Sequence, residues 1–268
     1  MSSGDFEYII YTREDGIATI TLNHPQTLNA INPKMTEEWI AAINDAKYDN
    51  DVKVLVVTGT GRGFCSGLNP RFLDARAKGD QPIWPGLNKF IVSEMGIPRT
   101  LSTFYKPYIG AINGPAAGAG MDMANLCDIR IASEKAKFAM SYVRMALTPA
   151  DGGVKLLPQI VGVDKACELI WTGRSIDAEE ALRLGYVSKV VPHEQLMSAT
   201  KELAQQLAKG PPLAIQISKR LIYQCLTTTL DRALDLAESA MLIVRNTEDA
   251  KEGIRSWVDK REPKFTGR

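Results

Sequence analysis

Two runs rich in β-branched and aromatic residues, 6–12 and 17–23, flank Glu14, Asp15 and Gly16, and this pattern predicts an N-terminal hairpin. A helix is predicted to begin near Asn32, an N-capping residue type, with Pro33 at the first helical position. The apolar stretch 52–58 reads as a buried strand, and 108–113 and 129–132 read as two more, each associated with a glycine-bearing turn and a helical stretch. The first two thirds of the chain therefore read as α/β. From about Asp177 the pattern changes to helical spacing, over 178–184, 194–208, 213–225, 230–245 and 248–259, with one short strand at 187–191. Pro211 and Pro212 punctuate this tail without forming a long linker, and neither an internal repeat nor a low-complexity segment is found.

At 268 residues the chain has the size of one large α/β body with a helical extension. Its 32 basic and 31 acidic residues give a formal net charge of +1, which argues against a surface built to hold nucleic acid or anionic membrane. Cys65, Cys127, Cys167 and Cys225 are widely spaced, with no CxxC pair and no histidine cluster, so neither a metal site nor a disulfide framework is expected. The N-terminus lacks a basic start followed by an apolar stretch, and no apolar run approaches the roughly 20 residues of a membrane span. A soluble cytoplasmic protein with reduced thiols is the expectation.

The informative feature is a pair of glycine-rich turns, each following a strand: 61–68 (GRGFCSGL) and 113–120 (NGPAAGAG). Glycine lets backbone approach a ligand closely and adopt positive φ, so two such turns can each aim an N–H at one oxygen. Residues 119–127 read as a helix, which puts Ala119 at its positive N-terminal end and Asp122 on the same face. Taken singly, each turn also reads as a tight corner and Asp122 as a favourable first-turn acid. A dinucleotide fingerprint is a rival reading, because Gly59, Gly61 and Gly63 follow the strand. Phe64, however, stands where the third glycine belongs, and no strand-end acid follows about 20 residues on. No Walker loop is present, and 63–67 (GFCSG) is not the GxSxG elbow of a serine hydrolase.

Three stretches in this order carry a family resemblance: GRGFCSGLN, then KPYIGAINGPAAGAGMDMANLCDIRIASEKAKFAM, then LLPQIVGVDKACELIWTGRSIDAEEALRLGYVSKVV. Over nearly its whole length the chain resembles the crotonase (enoyl-CoA hydratase/isomerase) superfamily. The resemblance implies an α/β spiral of ββα turns in residues 1–195, which would hold the acyl-CoA site. It implies a helical oligomerisation region over 196–268, giving a homotrimer or a dimer of trimers. It places oxyanion-hole N–H groups on Leu68 and Ala119, and it implies an acyl-CoA thioester as partner, with no permanently bound cofactor and coenzyme A only as part of the substrate.

Matched residue by residue, the helix acid of the hydratases falls on Asp122, and their second acid falls on Tyr142. A tyrosine with an ordinary pKa of about 10 is a poor base. Isomerases and several relatives carry an acid around the segment LTPADGG, which makes Asp151 the second candidate; it also reads as a helix N-cap before Gly152 and Gly153. The resemblance assigns coenzyme A contacts to Leu28, Ala30, Ser66 and Gly67, and puts Trp257 and Lys260 of a neighbouring subunit near the nucleotide. Asn69 stands where many relatives have Asp. The acyl pocket is expected between Asn69 and Tyr105, a stretch broken by Pro82, Pro85, Gly86 and Gly96, with Trp84, Phe90, Phe104 and Tyr105 as apolar lining; such aromatics also serve as plain core. The implied chemistry is hydration or double-bond isomerisation through a thioester enolate. Alternatives are dienoyl-CoA hydration, dehalogenation, decarboxylation, or a catalytically silent acyl-CoA-binding relative, with a nicotinamide-dependent oxidoreductase disfavoured by the broken fingerprint.

Overall fold

The computed structural model describes residues 6–69, 74, 78 and 95–268. The expected hairpin is present: β1 (Ile9–Glu14) and β2 (Ile17–Leu22) pair antiparallel across Asp15 and Gly16, whose φ of 52° and 78° fit a tight two-residue turn. Beyond β2 the large sheet continues in parallel through β3 (Val54–Gly59), β4 (Tyr108–Ile112), β6 (Ile129–Ser133) and β9 (Lys189–Val191). A second, small sheet orders β5 (Ala116–Ala117), β7 (Lys137–Ala139) and β8 (Ser175–Asp177). The chain passes from β4 to β5 and from β6 to β7, so successive turns give one strand to each sheet. This is the expected spiral. The small-sheet strands are only two or three residues long, too short to announce themselves by alternation.

Ten α-helices are found among the described residues: α1 (Pro33–Tyr48), α2 (Gly96–Leu101), α3 (Ala119–Asn125), α4 (Gly153–Val161), α5 (Val163–Thr172), α6 (Ala178–Arg183), α7 (Leu196–Ala208), α8 (Pro212–Cys225), α9 (Leu230–Arg245) and α10 (Glu248–Asp259). Asn32 caps α1 as expected, its side chain accepting from Met35 N at 2.9 Å. The helices α4 and α5 precede the point where the sequence pattern turns helical; paired glycines at the start of α4 and Pro158 inside it hide the signal.

Strand β3 shows how the core is divided. Leu55 and Val57 point to one face of the sheet, against Met35, Trp39, Ala42, Ile43 and Ala46 of α1. Val54 and Val56 point to the other, against Leu196 and Ala204 of α7. Both faces of the parallel sheet are thus covered, which is why its strands read as continuous apolar runs. Helix α7 opens the 196–268 region and shares this core. No helix among the described residues is long and apolar enough to cross a membrane. Of the expected acyl-pocket residues, Pro82, Trp84, Pro85, Gly86 and Phe90 lie outside the described residues, while Gly96 opens α2 and Phe104 stacks edge-on against Tyr108 with centroids 6.4 Å apart.

Asn29 ties the strand ends to the first glycine turn. Its Nδ2 donates to the carbonyls of Thr60, Gly63 and Phe64 at 3.0, 2.9 and 3.2 Å, and its Oδ1 accepts from His24 N at 2.8 Å. Asn29→Ala strands these buried groups, so we expect a loss of about 1–3 kcal/mol, read as a lower urea midpoint at unchanged m-value.

Candidate active site

The two glycine turns lie against each other. Phe64 N and Cys65 N donate to Pro115 O, both at 3.1 Å, and Ala117 N donates to Cys65 O at 3.0 Å. Gly67 has φ 94°, and a Cβ there would sit 2.7 Å from Ala117 O and 3.3 Å from Ala119 N, so only glycine lets the backbones come this close. The loop before α1 zips onto the same turn: Ser66 N donates to Leu28 O at 2.9 Å, Ile31 N to Gly67 O at 2.7 Å, and Asn69 N to Ile31 O at 3.0 Å. Ser66 Oγ donates to Thr27 O at 2.8 Å, and Ala30 is buried beneath. The structure therefore joins Leu28, Ala30, Ser66, Gly67, Leu68, Asn69 and Ala119 in one place.

The pairing of Ile31 with Leu68 uses the flanking Gly67 carbonyl and Asn69 N–H, which turns the Leu68 N–H to the opposite side. Ala119 opens α3, so its N–H has no acceptor within the helix. Among the described residues neither N–H meets an acceptor, and Leu68 and Ala119 line one cavity of about 20 Å³ together with Ile31, Ile97, Met123 and Asp151. Two such donors on one wall can hold a single anionic oxygen. Cys65 offers no nucleophile here, because burial pushes its thiol up to about 12.

Asp122, Tyr142 and Asp151 form one cluster. The Tyr142 hydroxyl donates to Asp122 Oδ2 at 2.6 Å and lies 3.4 Å from Asp151 Oδ2. Asn125 Nδ2 donates to Asp122 Oδ1 at 3.3 Å, and the Tyr186 hydroxyl donates to Asn125 Oδ1 at 2.7 Å, extending the chain into the core. Neither Asn125 nor Tyr186 is signalled by the sequence; Asn125 lies three residues beyond Asp122, on the same helix face.

The two carboxylates are placed differently. Asp122 is 0 % exposed and lies under the segment 151–153, where a Cβ on Gly153 would collide with Asp122 Oδ1. Asp151 is 7 % exposed and lines the cavity that Leu68 and Ala119 share. Gly152, not Asp151, is the N-cap of α4, and it makes no side-chain cap bond. Burial raises Asp122 to about 7, partly offset by the Tyr142 hydroxyl, and raises Asp151 to about 6 against the same hydroxyl. Burial and the two neighbouring carboxylates push Tyr142 far above its ordinary value, so it stays a proton donor and is no base.

Trp257 and Lys260 are on α10 and at its C-cap, Trp257 being 86 % exposed. Within the chain, no hydrogen bond or cavity among the described residues links them to the glycine turns. Likewise no group of three His, Cys, Asp or Glu side chains among the described residues is arranged to hold a metal ion.

A family profile described as Enoyl-CoA hydratase/isomerase matches residues 12–268. The chain is 35% identical to the 1,2-epoxyphenylacetyl-CoA isomerase of Escherichia coli (strain K12), over 98% of this chain and 99% of that one. It is 34% identical to the short-chain-enoyl-CoA hydratase of Clostridium acetobutylicum, over 95% of each. The crystal structure of an enoyl-CoA hydratase from Bacillus anthracis superposes with a TM-score of 0.90 at 28% identity, covering 98% of this chain and 100% of that one.

The raised Asp122 carboxyl has a consequence for stability. Its folded-state value lies above the unfolded one, so the stability it contributes is fully present below about pH 4 and is lost as pH rises through about 7. Asp122→Asn removes that loss. We expect the variant to match wild type near pH 4 and to exceed it at pH 8 by on the order of 4 kcal/mol, measured by denaturant titration at both pH values.

Proposed function

Because the chain belongs to the enoyl-CoA hydratase/isomerase family, we propose that it is an isomerase-type enzyme, which holds an unsaturated acyl-CoA between Leu68 N–H and Ala119 N–H and shifts its double bond with Asp151. Coenzyme A enters and leaves as part of the substrate. The observation that carries this reading is that one carboxylate, Asp151, reaches the cavity with the two N–H donors, while Asp122 is sealed behind it.

The thioester oxygen sits between the two N–H groups, which are worth about 2.7–4 kcal/mol each to a developing oxyanion. Ionised Asp151 takes a proton from the α-carbon of a β,γ-enoyl, or from the γ-carbon of an α,β-enoyl, giving the same dienolate, and returns it at the other end of the allylic system. No atom is added, and the thioester leaves as an isomer. Protonated Asp151 then donates to the Tyr142 oxygen, while Tyr142 keeps its own proton and donates it to Asp122. Tyr142 and Asp122 thereby steady the base in both of its charge states. Hydration is the second reading, supported by the presence of two carboxylates in one cluster; it requires Asp122 to gain access to a water.

A trimer or dimer of trimers completes the proposal. It is supported by the apolar face left open on α9 and α10, which includes Leu234, Met241, Ile254 and Trp257. In such an assembly Trp257 and Lys260 reach a neighbour's nucleotide site near Leu28, Ala30 and Ser66.

Asp151→Asn is expected to lower kcat by about 10²- to 10⁴-fold with KM changed only a few-fold. Enoyl- and dienoyl-CoA thioesters incubated in heavy water and weighed by mass spectrometry distinguish the readings. Deuterium uptake with a moved double bond is the expected result, whereas addition of one deuterium oxide makes hydration the reaction. In wild type, kcat/KM should fall as pH drops below about 6, where Asp151 gains its proton. Tyr142→Phe removes a hydrogen bond that favours the carboxylate, so this acid limb should move to higher pH.

A further inference from the structure

Asp151 and Pro98 line two cavities. One is the small space shared with Leu68 and Ala119; the other is a separate chamber of about 430 Å³ between α2, the start of α4 and α8, within the size range of pockets that hold organic ligands. Because the two cavities share Asp151 and Pro98, a thioester carbonyl at Leu68 and Ala119 with its reacting carbons beside Asp151 would direct the remainder of the acyl group toward this second chamber.

Its walls combine apolar Leu101, Phe104 and Leu156 with the cations Lys155, Lys219 and Arg220 and the carboxylate of Asp128. Lys219 is already committed: its Nζ lies 2.7 Å from Asp128 Oδ2, and Tyr223 donates to the other oxygen at 2.7 Å. Arg220 is not. Its guanidinium lies over the Tyr105 ring, 5.8 Å from the centroid, and among the described residues no carboxylate pairs with it or with Lys155. Lys155 stands in the first turn of α4, an unfavourable place for a cation, since the helix dipole is positive there, unless an anion lies close by. A guanidinium whose neighbour is an aromatic ring and not a carboxylate keeps its fork of donors free for a carboxylate ligand.

From this arrangement we propose that the acyl group ends in a carboxylate, so that the substrate is the mono-CoA thioester of an unsaturated dicarboxylic acid, with Arg220 and Lys155 holding the distal carboxylate. The inference rests on the acyl-CoA reading of the site. The test uses saturated thioesters of equal length, which bind without a double bond to move: adipoyl-CoA and hexanoyl-CoA, titrated calorimetrically into the whole protein. Wild type is expected to bind adipoyl-CoA at least about tenfold more tightly, as a charge-assisted pair implies. Arg220→Met and Lys155→Met should each shrink that ratio, and the double variant should bring it near one. Equal affinities, or tighter binding of hexanoyl-CoA, overturn the carboxylate assignment while leaving the isomerase reading in place if unsaturated thioesters are still turned over. A preference for adipoyl-CoA that survives the double variant also overturns it. Failure of both thioesters to bind overturns this inference and the acyl-CoA reading together.

Discussion

The structure turns on the close approach of two backbones. Ala117 N and Cys65 O are hydrogen bonded, Pro115 O receives two N–H groups from the first turn, and Gly67 fits against Ala117 and Ala119 only because it has no side chain. Every other feature of the site is arranged around that contact. The parallel strands β3 and β4 deliver the two turns to the same end of the sheet. Asn29 and Asn113 bind the carbonyls of the first turn, and the loop before α1 pairs with its far end. The outcome is that, among the described residues, the Leu68 and Ala119 N–H groups are left without acceptors on one wall, a geometry fixed by the backbone.

Electrostatics explains why the acids behave as they do. A carboxylate removed from water is destabilised, and Asp122 and Asp151 both titrate upward for that reason. Tyr142 is what keeps them usable: a hydroxyl whose own ionisation is suppressed by burial can always donate, and it serves Asp122 at 2.6 Å while standing within reach of Asp151. The tyrosine that looked like a lost acid is therefore a bridge between two acids. Burial divides their roles, with Asp122 fixed inside by Asn125 and Tyr142, and Asp151 left at the cavity wall. The same helix start that presents Asp151 also shapes the larger chamber, so the proposed base and the proposed acyl wall are set by one short segment.

Much of this was legible in the chain. The hairpin, the cap at Asn32, the buried strands and the C-terminal helices follow from local periodicity and turn chemistry, which neighbouring residues settle among themselves. Three stretches in order, the two glycine turns among them, carried the family resemblance, and matching to that family singled out Leu68, Ala119, Asp122, Tyr142 and Asp151 as candidates. The short strands β5, β7 and β8 were not legible, because a strand of two or three residues is held by its partners and carries no pattern of its own.

Sequence alone thus determined the longer elements, the family and the candidate groups for the site, since each depends on residue type and spacing along the chain. Only the tertiary structure decided which acid faces the cavity, that Tyr142 links the pair, and that Arg220 from α8 and Lys155 from α4 line the chamber beyond Asp151. Those facts depend on burial and on contacts between residues far apart in the chain. Charge state and access are properties of an environment, and the environment exists only once the chain has folded.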